Sequence, residues 1–170
     1  MSHAHDNSSG SPVARTFVDA RRAGRALPSY PGAQPATLDA AYAIQDEAIA
    51  AWPDRIAGWK LGRINAPHDA RFGAGRLAGP IFSRAVWAAG DDIEPGRKRS
   101  GGFAAVEAEY VLELGETAPD RDDWTAESAA ALVARVHTGV EIAGSPFPGI
   151  NEHGPAVTAS DFGNNAGRAR

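Results

Sequence analysis

The most strongly patterned segment of the chain is Val106-Glu107-Ala108-Glu109-Tyr110-Val111-Leu112-Glu113-Leu114. Successive side chains of a β-strand point to opposite faces, so this alternation predicts a strand, which apolar flanking residues extend over 103–114. One face of the strand is apolar, and the other carries Glu107, Glu109 and Glu113. Glu107 and Glu109 are therefore neighbours on one face, about 7 Å apart at the backbone.

Two carboxylates at this spacing can bind one cation, and oxygen-only ligation selects a hard ion such as Mg²⁺ or Ca²⁺. Spacing alone favours a half-exposed strand whose polar face carries three Glu. Two other residues favour the metal hypothesis. Glu141 lies in a short apolar segment between Val140 and Ile142, and Lys60 lies in a Trp/Leu/Gly segment. A lysine buried beside a carboxylate–metal cluster is a candidate acid/base because burial disfavours its charged form, whereas a solvated lysine is the commoner case.

Periodicity and capping residues predict the other elements. A helix begins at Pro12 behind the N-cap Ser11, and a second helix spans about 38–52 behind Thr37. The remaining predictions, in chain order, are a strand at 56–62, a glycine-rich loop at 63–80, short strands at 81–82 and 85–87, turns at 90–96, an exposed basic patch at 97–99, a helix at about 126–137 behind Thr125, a strand at 139–143 and a loop at 144–170.

Helices followed by strands with one inserted helix indicate an α+β fold with a mixed, mainly antiparallel sheet. We divide the chain into a disordered leader (1–10), an N-terminal helical region (11–55) and a β-rich domain (56–170) that carries the candidate catalytic residues.

Composition excludes several classes of protein. The chain has 170 residues, no Cys and a formal net charge of −4, so disulfides and thiolate sites are excluded and general nucleic-acid binding is disfavoured. No run of about 18 apolar residues and no signal peptide occur, so we expect a cytoplasmic protein with no membrane partner. The glycine-rich loop fits neither a dinucleotide nor a phosphate-binding motif, the histidines lack zinc spacing, and no serine-hydrolase motif occurs.

Six short motifs occur in order along most of residues 38–166. They are Ala41-Tyr42-Ala43-Ile44-Gln45, Gly58-Trp59-Lys60-Leu61-Gly62, Gly79-Pro80-Ile81-Phe82, Val106-Glu107-Ala108-Glu109, Val140-Glu141-Ile142-Ala143-Gly144-Ser145 and Asn164-Asn165-Ala166. Together they resemble the 2-keto-4-pentenoate hydratase / 4-oxalocrotonate decarboxylase group of the fumarylacetoacetate hydrolase superfamily. The resemblance implies a β-structure of that type.

The resemblance also implies a site. Glu107, Glu109 and Glu141 would hold Mg²⁺ or Mn²⁺, Lys60 would transfer protons, and Asn165 and Gly62 would contact a small 2-oxo acid substrate. The implied activity is a hydratase of aromatic-compound catabolism, with decarboxylation second and acylpyruvate hydrolysis third. Members of the group are often homo-oligomers.

The chain departs from the group at Leu77, where hydratases carry an acid, and at Gly167, where they often carry Ser. Members also continue past the Asn-Ala motif with strands that close the β-structure, so the resemblance implies a fold that is incomplete at the C-terminus. A second hypothesis is therefore a non-catalytic remnant that folds by pairing its strands with another chain.

Overall fold

A computed structural model describes residues 10–88 and 101–170 of the chain. The predicted turns at 90–96, the basic patch at 97–99 and all but the last residue of the leader lie outside the described residues. The helices are α1 (Pro12–Ala23), α2 (Leu38–Ala51), α3 (His68–Phe72), α4 (Ala126–Ala130) and α5 (Pro155–Ser160). The strands are β1 (Ile56–Arg63), β2 (Arg76–Phe82), β3 (Val86–Trp87), β4 (Phe103–Leu114), β5 (Val133–Ser145) and β6 (Asn165–Ala169).

The two N-terminal helices begin where their capping residues predict. The Ala14 backbone N–H donates to the Ser11 hydroxyl, and the Ala40 N–H donates to the Thr37 hydroxyl, so each cap satisfies a donor at the first helical turn. Helix α1 ends at Gly24, whose left-handed conformation suits glycine. These observations confirm the predicted start of α1 and the predicted bounds of α2 to within one residue.

The strands form two sheets. Strands β1 and β2 pair as an antiparallel hairpin, and the second sheet has the order β3-β6-β5-β4. Among the described strands, β3–β6 is the parallel pair, and the other neighbours are antiparallel. The prediction of an α+β fold with helices first and a mixed, mainly antiparallel β-structure is confirmed, and the division into three regions stays a prediction.

The prediction of a helix over 126–137 is wrong beyond Ala130. The Thr125 cap is present and forms a capping box with Ser128, but the chain becomes strand β5 at Val133. This segment contains several β-branched residues, and pairing of Val136 with Leu112 and of Val140 with Ala108 gives it a full ladder of hydrogen bonds to β4. His137, expected at a helix end, consequently lies within β5.

Two segments predicted as loops contain regular structure. The first, 63–80, contains α3 and most of β2, and the second, 144–170, contains α5 and β6. Both are rich in glycine, which usually indicates turns. Here tertiary contacts override that local tendency, because α5 is buried along its whole length and β2 is buried along most of its length.

The core lies between the helices and the β1–β2 hairpin. Phe17, Tyr30, Phe147, Ile150 and Val157 form one buried cluster, and Phe82 and Phe162 belong to a second. Gln45 of α2 is also buried, and its amide donates to the carbonyls of Ala78 (3.1 Å) and Ala159 (2.6 Å). This amide joins α2 to β2 and to α5, which fixes the hairpin against the helical layer.

The β4–β5 hairpin extends away from this core. Its apolar face is open to solvent, with Val106, Tyr110, Leu112, Leu114 and Val136 all exposed. The acidic face of the same hairpin lies toward Lys60. Within residues 10–88 and 101–170, no helix has the length and apolar composition needed to cross a membrane.

Candidate metal centre

The three predicted metal ligands share one face of neighbouring strands. Glu107 pairs directly with Glu141 across β4 and β5, and Glu109 pairs with Gly139. Residues that are directly opposite in an antiparallel pair have side chains on the same face, so all three carboxylates project from one surface. Their burial differs: Glu141 is buried, Glu109 is half-buried and Glu107 is exposed.

Lys60 is the buried cation of the site. In β1 its side chain points inward while those of Trp59 and Leu61 point to solvent, as the alternation of a strand requires. Its Nζ lies 3.1 Å from Glu141 Oε1. The same Nζ donates to the carbonyl of Gly163 (3.0 Å) and to Oδ1 of Asn164 (2.8 Å). Three acceptors therefore compensate the charge of a lysine whose side chain is 7% exposed.

Asn165 orients the carboxylate of Glu141. Its Nδ2 donates to Glu141 Oε1 at 2.9 Å, the same oxygen that contacts Lys60. In the described part of the chain, Oε2 of Glu141 accepts no hydrogen bond. The carboxylate is thus held by one oxygen, and the other is available to a ligand. The predicted substrate contact Asn165 is brought next to Lys60 and Glu141.

The turn at 162–164 carries the partners of Lys60 in an unusual conformation. Phe162, Gly163 and Asn164 all have positive φ (55°, 58° and 57°). Such a run of left-handed residues persists only where surrounding contacts hold the backbone in that conformation. Strained backbone of this kind is found preferentially at functional sites. Gly79, opposite Lys60 in the hairpin, permits the turn to approach, because a Cβ there would lie 2.1 Å from the Phe162 carbonyl oxygen.

The half-buried carboxyl of Glu109 experiences the charges of the whole cluster. Burial raises its pKa, and the nearby negative charge of Glu141 raises it further. Arg168 and Lys60 oppose this increase, and Glu107 adds to it. An additional positive charge among these acids would relieve their mutual repulsion, which is the electrostatic condition that favours cation binding.

The residues fit a hard divalent metal in donor chemistry. Glu107, Glu109 and Glu141 supply only oxygen atoms, the repulsion among them favours a cation, and one oxygen of Glu141 has no partner in the described residues. Among those residues, however, no three His, Cys, Asp or Glu side chains are placed as a group that could hold a metal. The carboxylates share a surface without converging on one point.

The other residues singled out in the sequence have clear positions. Gly62 lies two residues from Lys60 on the same face of β1, and a Cβ there would lie 3.7 Å from Lys60 Cε. Leu77, where the motif resemblance implies a departure from hydratases, is buried in an apolar cluster. The roles of Gly62 and Asn165 in substrate binding stay predictions.

Sequence reasoning missed a buried arginine behind the site. The Arg21 guanidinium of α1 pairs with Asp161, with 2.5 Å between Nε and Oδ1, and its other nitrogens donate to the carbonyls of Gly144, Asp161 and Asn165. Asp161 also accepts a hydrogen bond from Ser145 (2.6 Å). The helical periodicity of residues 13–27 predicts a solvated basic face that includes Arg21, and a buried partner 140 residues away leaves no local signal.

The fold is similar to that of solved 4-oxalocrotonate decarboxylase structures, which confirms at the level of the fold the resemblance seen in the motifs. No protein-family model and no curated protein matches the chain.

Two solved structures illustrate the likeness. One is 4-oxalocrotonate decarboxylase from Pseudomonas putida G7 complexed with calcium and acetate, with a TM-score of 0.67 and 17% identity. The other is the same enzyme complexed with magnesium and adipate, with a TM-score of 0.60 and 16% identity. Each alignment covers 92% of this chain, and this chain spans 59% and 60% of the respective structures.

We predict that Asp161→Asn lowers the free energy of unfolding by about 3–5 kcal/mol, because it leaves the Arg21 guanidinium buried without a counter-charge. The measurement is urea-induced unfolding followed by circular dichroism. Asp123→Asn is the matched control: it removes an acid from an exposed pair with Arg121 and should change stability by less than about 0.5 kcal/mol. Equal effects of the two substitutions would contradict the structural role of Asp161.

Proposed function

We propose that this chain carries the site of a divalent-metal-dependent lyase that acts on a short 2-oxo acid. The observation that carries the proposal is the ion pair between Lys60 Nζ and Glu141 Oε1, at 3.1 Å, on a face that bears two further carboxylates. A lysine buried beside an acidic, oxygen-only donor set combines a proton-transfer group with a place for a Lewis acid. The solved 4-oxalocrotonate decarboxylase structures support this proposal, because one is complexed with calcium and acetate and the other with magnesium and adipate.

Glu107, Glu109 and Glu141 would hold the metal, with Mg²⁺ or Mn²⁺ as the expected ion. When bound, the ion supplies Lewis-acid stabilisation of negative charge that develops on the 2-oxo group. Asn165 contributes by holding the Glu141 carboxylate in a fixed orientation through its 2.9 Å hydrogen bond.

Lys60 is the proposed proton carrier. The carbonyl of Gly163 and the amide oxygen of Asn164 fix the position of its Nζ, which can give a proton to the substrate carbon or take one from it. Because the side chain is buried, bulk water does not compete for these contacts. Gly62 would leave space for the substrate beside the lysine stem.

Two reactions fit this set of residues. Loss of CO₂ from a 2-oxo acid with a second carboxylate requires an electron sink and one proton donor, and Lys60 can be that donor. Addition of water to a 2-oxo-enoate also requires a group that activates water, and Leu77 occupies the position where hydratases have an acid. The decarboxylase neighbours favour the first reaction, and the hydratase predicted from sequence is the second candidate.

The first test is metal binding. We predict that millimolar Mg²⁺ or Mn²⁺ raises the melting temperature of the chain and that oxalate, a mimic of a 2-oxo acid, raises it again. Ligands that bind only the folded state stabilise it by mass action, by about 2.7 kcal/mol at one hundred times the Kd. Glu141→Gln should abolish both increases.

Glu113→Gln is the matched control for this experiment. Glu113 lies on the same face of β4 but forms ion pairs with Arg135 and Arg170 instead of facing Lys60. This variant should retain both increases in melting temperature. An identical metal response in wild type and Glu141→Gln would refute the assignment of Glu141.

The second test is turnover. We predict Mg²⁺-dependent consumption of either a 2-oxo-hexenedioate with release of CO₂ or 2-hydroxypentadienoate with formation of a 4-hydroxy-2-oxo acid, separated by liquid chromatography. Lys60→Gln should lower kcat by about 10²–10⁴ while leaving the metal-induced increase in melting temperature in place, because the lysine moves protons and does not bind the ion. Unchanged kcat in Lys60→Gln would exclude the lysine from the reaction.

One observation favours the second sequence-based hypothesis, a non-catalytic chain that pairs with another. Strand β4 is at the edge of its sheet, and its apolar face is exposed at Val106 (73%) and Tyr110 (79%). Exposed apolar surface on an edge strand favours association. Aggregation of the purified chain would support this alternative, and a monodisperse, cooperatively unfolding chain would count against it. Homo-oligomerisation and a cytoplasmic location stay predictions.

A further inference from the structure

An exposed asparagine, Asn151, contacts the amide that holds Lys60. Lys60 Nζ donates to Asn164 Oδ1 at 2.8 Å, and Asn164 Nδ2 donates to Asn151 Oδ1 at 3.0 Å. Asn164 is buried, whereas Asn151 lies at the surface, in the turn between β5 and α5. The three side chains therefore form a continuous series of hydrogen bonds from the surface to the lysine of the candidate site.

The hydrogen-bonding capacity of these side chains dictates the orientation of the Asn164 amide. A lysine ammonium group has donors and no acceptor, so the Asn164 atom that faces Lys60 Nζ must be its oxygen. The NH₂ group of this buried amide then points away from the lysine and requires an acceptor. Oδ1 of Asn151 supplies that acceptor. Without it, the same orientation would leave a buried donor unpaired, and rotation of the amide would become competitive.

The backbone on both sides of Asn151 is held in place. Ile150, the preceding residue, is fully buried, and its carbonyl accepts a hydrogen bond from the Thr158 hydroxyl of α5 at 2.9 Å. The backbone N–H of Glu152 donates to the carbonyl of Gly149 at 2.9 Å, which closes the turn. A side chain whose backbone is fixed by packing and hydrogen bonds can orient its neighbour reproducibly.

We infer that Asn151 is a positioning residue for Lys60, because it holds the Asn164 amide in the orientation that accepts from Nζ. Among the described residues, the hydrogen bonds of its side chain are to Asn164 and Thr158, and none is to the lysine or to the three carboxylates. It therefore acts through Asn164. The consequence for turnover rests on the proposed function, whereas the effect on the lysine does not.

The first experiment observes the Lys60 ammonium group by NMR spectroscopy. The chain has two lysines, Lys60 and Lys98, so correlation of ¹³Cε with ¹⁵Nζ in lysine-labelled protein gives two side-chain signals, and Lys60→Gln identifies the one from Lys60. We expect Asn151→Leu to shift and broaden this signal, because the amide beside Nζ is no longer fixed. Asn151→Asp keeps an acceptor toward Asn164 and should retain a single sharp signal.

Glu152→Leu is the matched control. It also replaces a polar side chain with leucine, at the next exposed residue of the same turn, and the Glu152 side chain forms no hydrogen bond within the described residues. Because both positions are exposed, both variants should fold, which circular dichroism checks. The Lys60 signal should be unchanged in Glu152→Leu. A signal in Asn151→Leu that equals the one in Glu152→Leu would overturn the inference.

The second experiment measures turnover of the substrate that the wild-type chain consumes. We expect Asn151→Leu to lower kcat about three- to tenfold, the effect of losing one hydrogen bond, and to leave KM and the metal-induced increase in melting temperature unchanged. A purely structural role would not divide the effect in this way. Asn151→Asp should restore kcat to within about twofold of wild type, since the acceptor oxygen is retained.

The outcomes separate this inference from the proposed function. If wild type is active and Asn151→Leu has the same kcat, the inference is refuted and the proposed function stands. An equal loss of kcat in Asn151→Leu and Asn151→Asp also refutes it, because the acceptor would then be irrelevant. If wild type shows no turnover but the Lys60 signal responds to Asn151→Leu alone, the proposed function fails and the positioning of Lys60 by Asn151 is supported.

Discussion

The buried guanidinium of Arg21 is the contact on which the arrangement of the site depends. It joins the first helix to Asp161 and to the carbonyls at the end of β5 and the start of β6. These backbone positions precede or carry Asn164 and Asn165, the residues that hold Lys60 and Glu141. A charge buried this deeply is tolerated only with a complete set of partners, so α1 and the 161–165 segment must assemble together.

The ion pair between Lys60 and Glu141 is the second level of this arrangement. Lys60 comes from the β1–β2 hairpin and Glu141 from the larger sheet, so the pair forms only when both sheets are in place. Gly79 makes this possible by allowing the 162–164 turn to lie against the hairpin. The chemistry proposed for the site is therefore a consequence of packing between elements that are far apart in sequence.

The sequence predicted what depends on local pattern. The alternation of apolar and acidic residues predicts the bounds of β4 and the shared face of Glu107 and Glu109. Capping residues predict the starts of α1 and α2. The ordered motifs predict the likeness to solved 4-oxalocrotonate decarboxylase structures. Strand β5 was predicted partly as a helix because residues 132–136 also fit a helical period, and only pairing with β4 selects the strand.

Residues that depend on tertiary contacts could not be predicted in the same way. Arg21 is buried only because Asp161 lies opposite it. The partners of Lys60 at Gly163 and Asn164 require a left-handed turn, which glycine and asparagine tolerate but which Phe162 adopts only under tertiary contacts. Longer-range geometry, rather than residue type, decides these contacts.

The most direct measurement for the central claim is anomalous diffraction from crystals of the chain grown with Mn²⁺. The account predicts an anomalous peak within bonding distance of carboxylate oxygens of Glu107, Glu109 and Glu141, with Lys60 still beside Glu141. A peak at other residues, or no peak at this face while Glu141 contacts only Lys60 and Asn165, would contradict it.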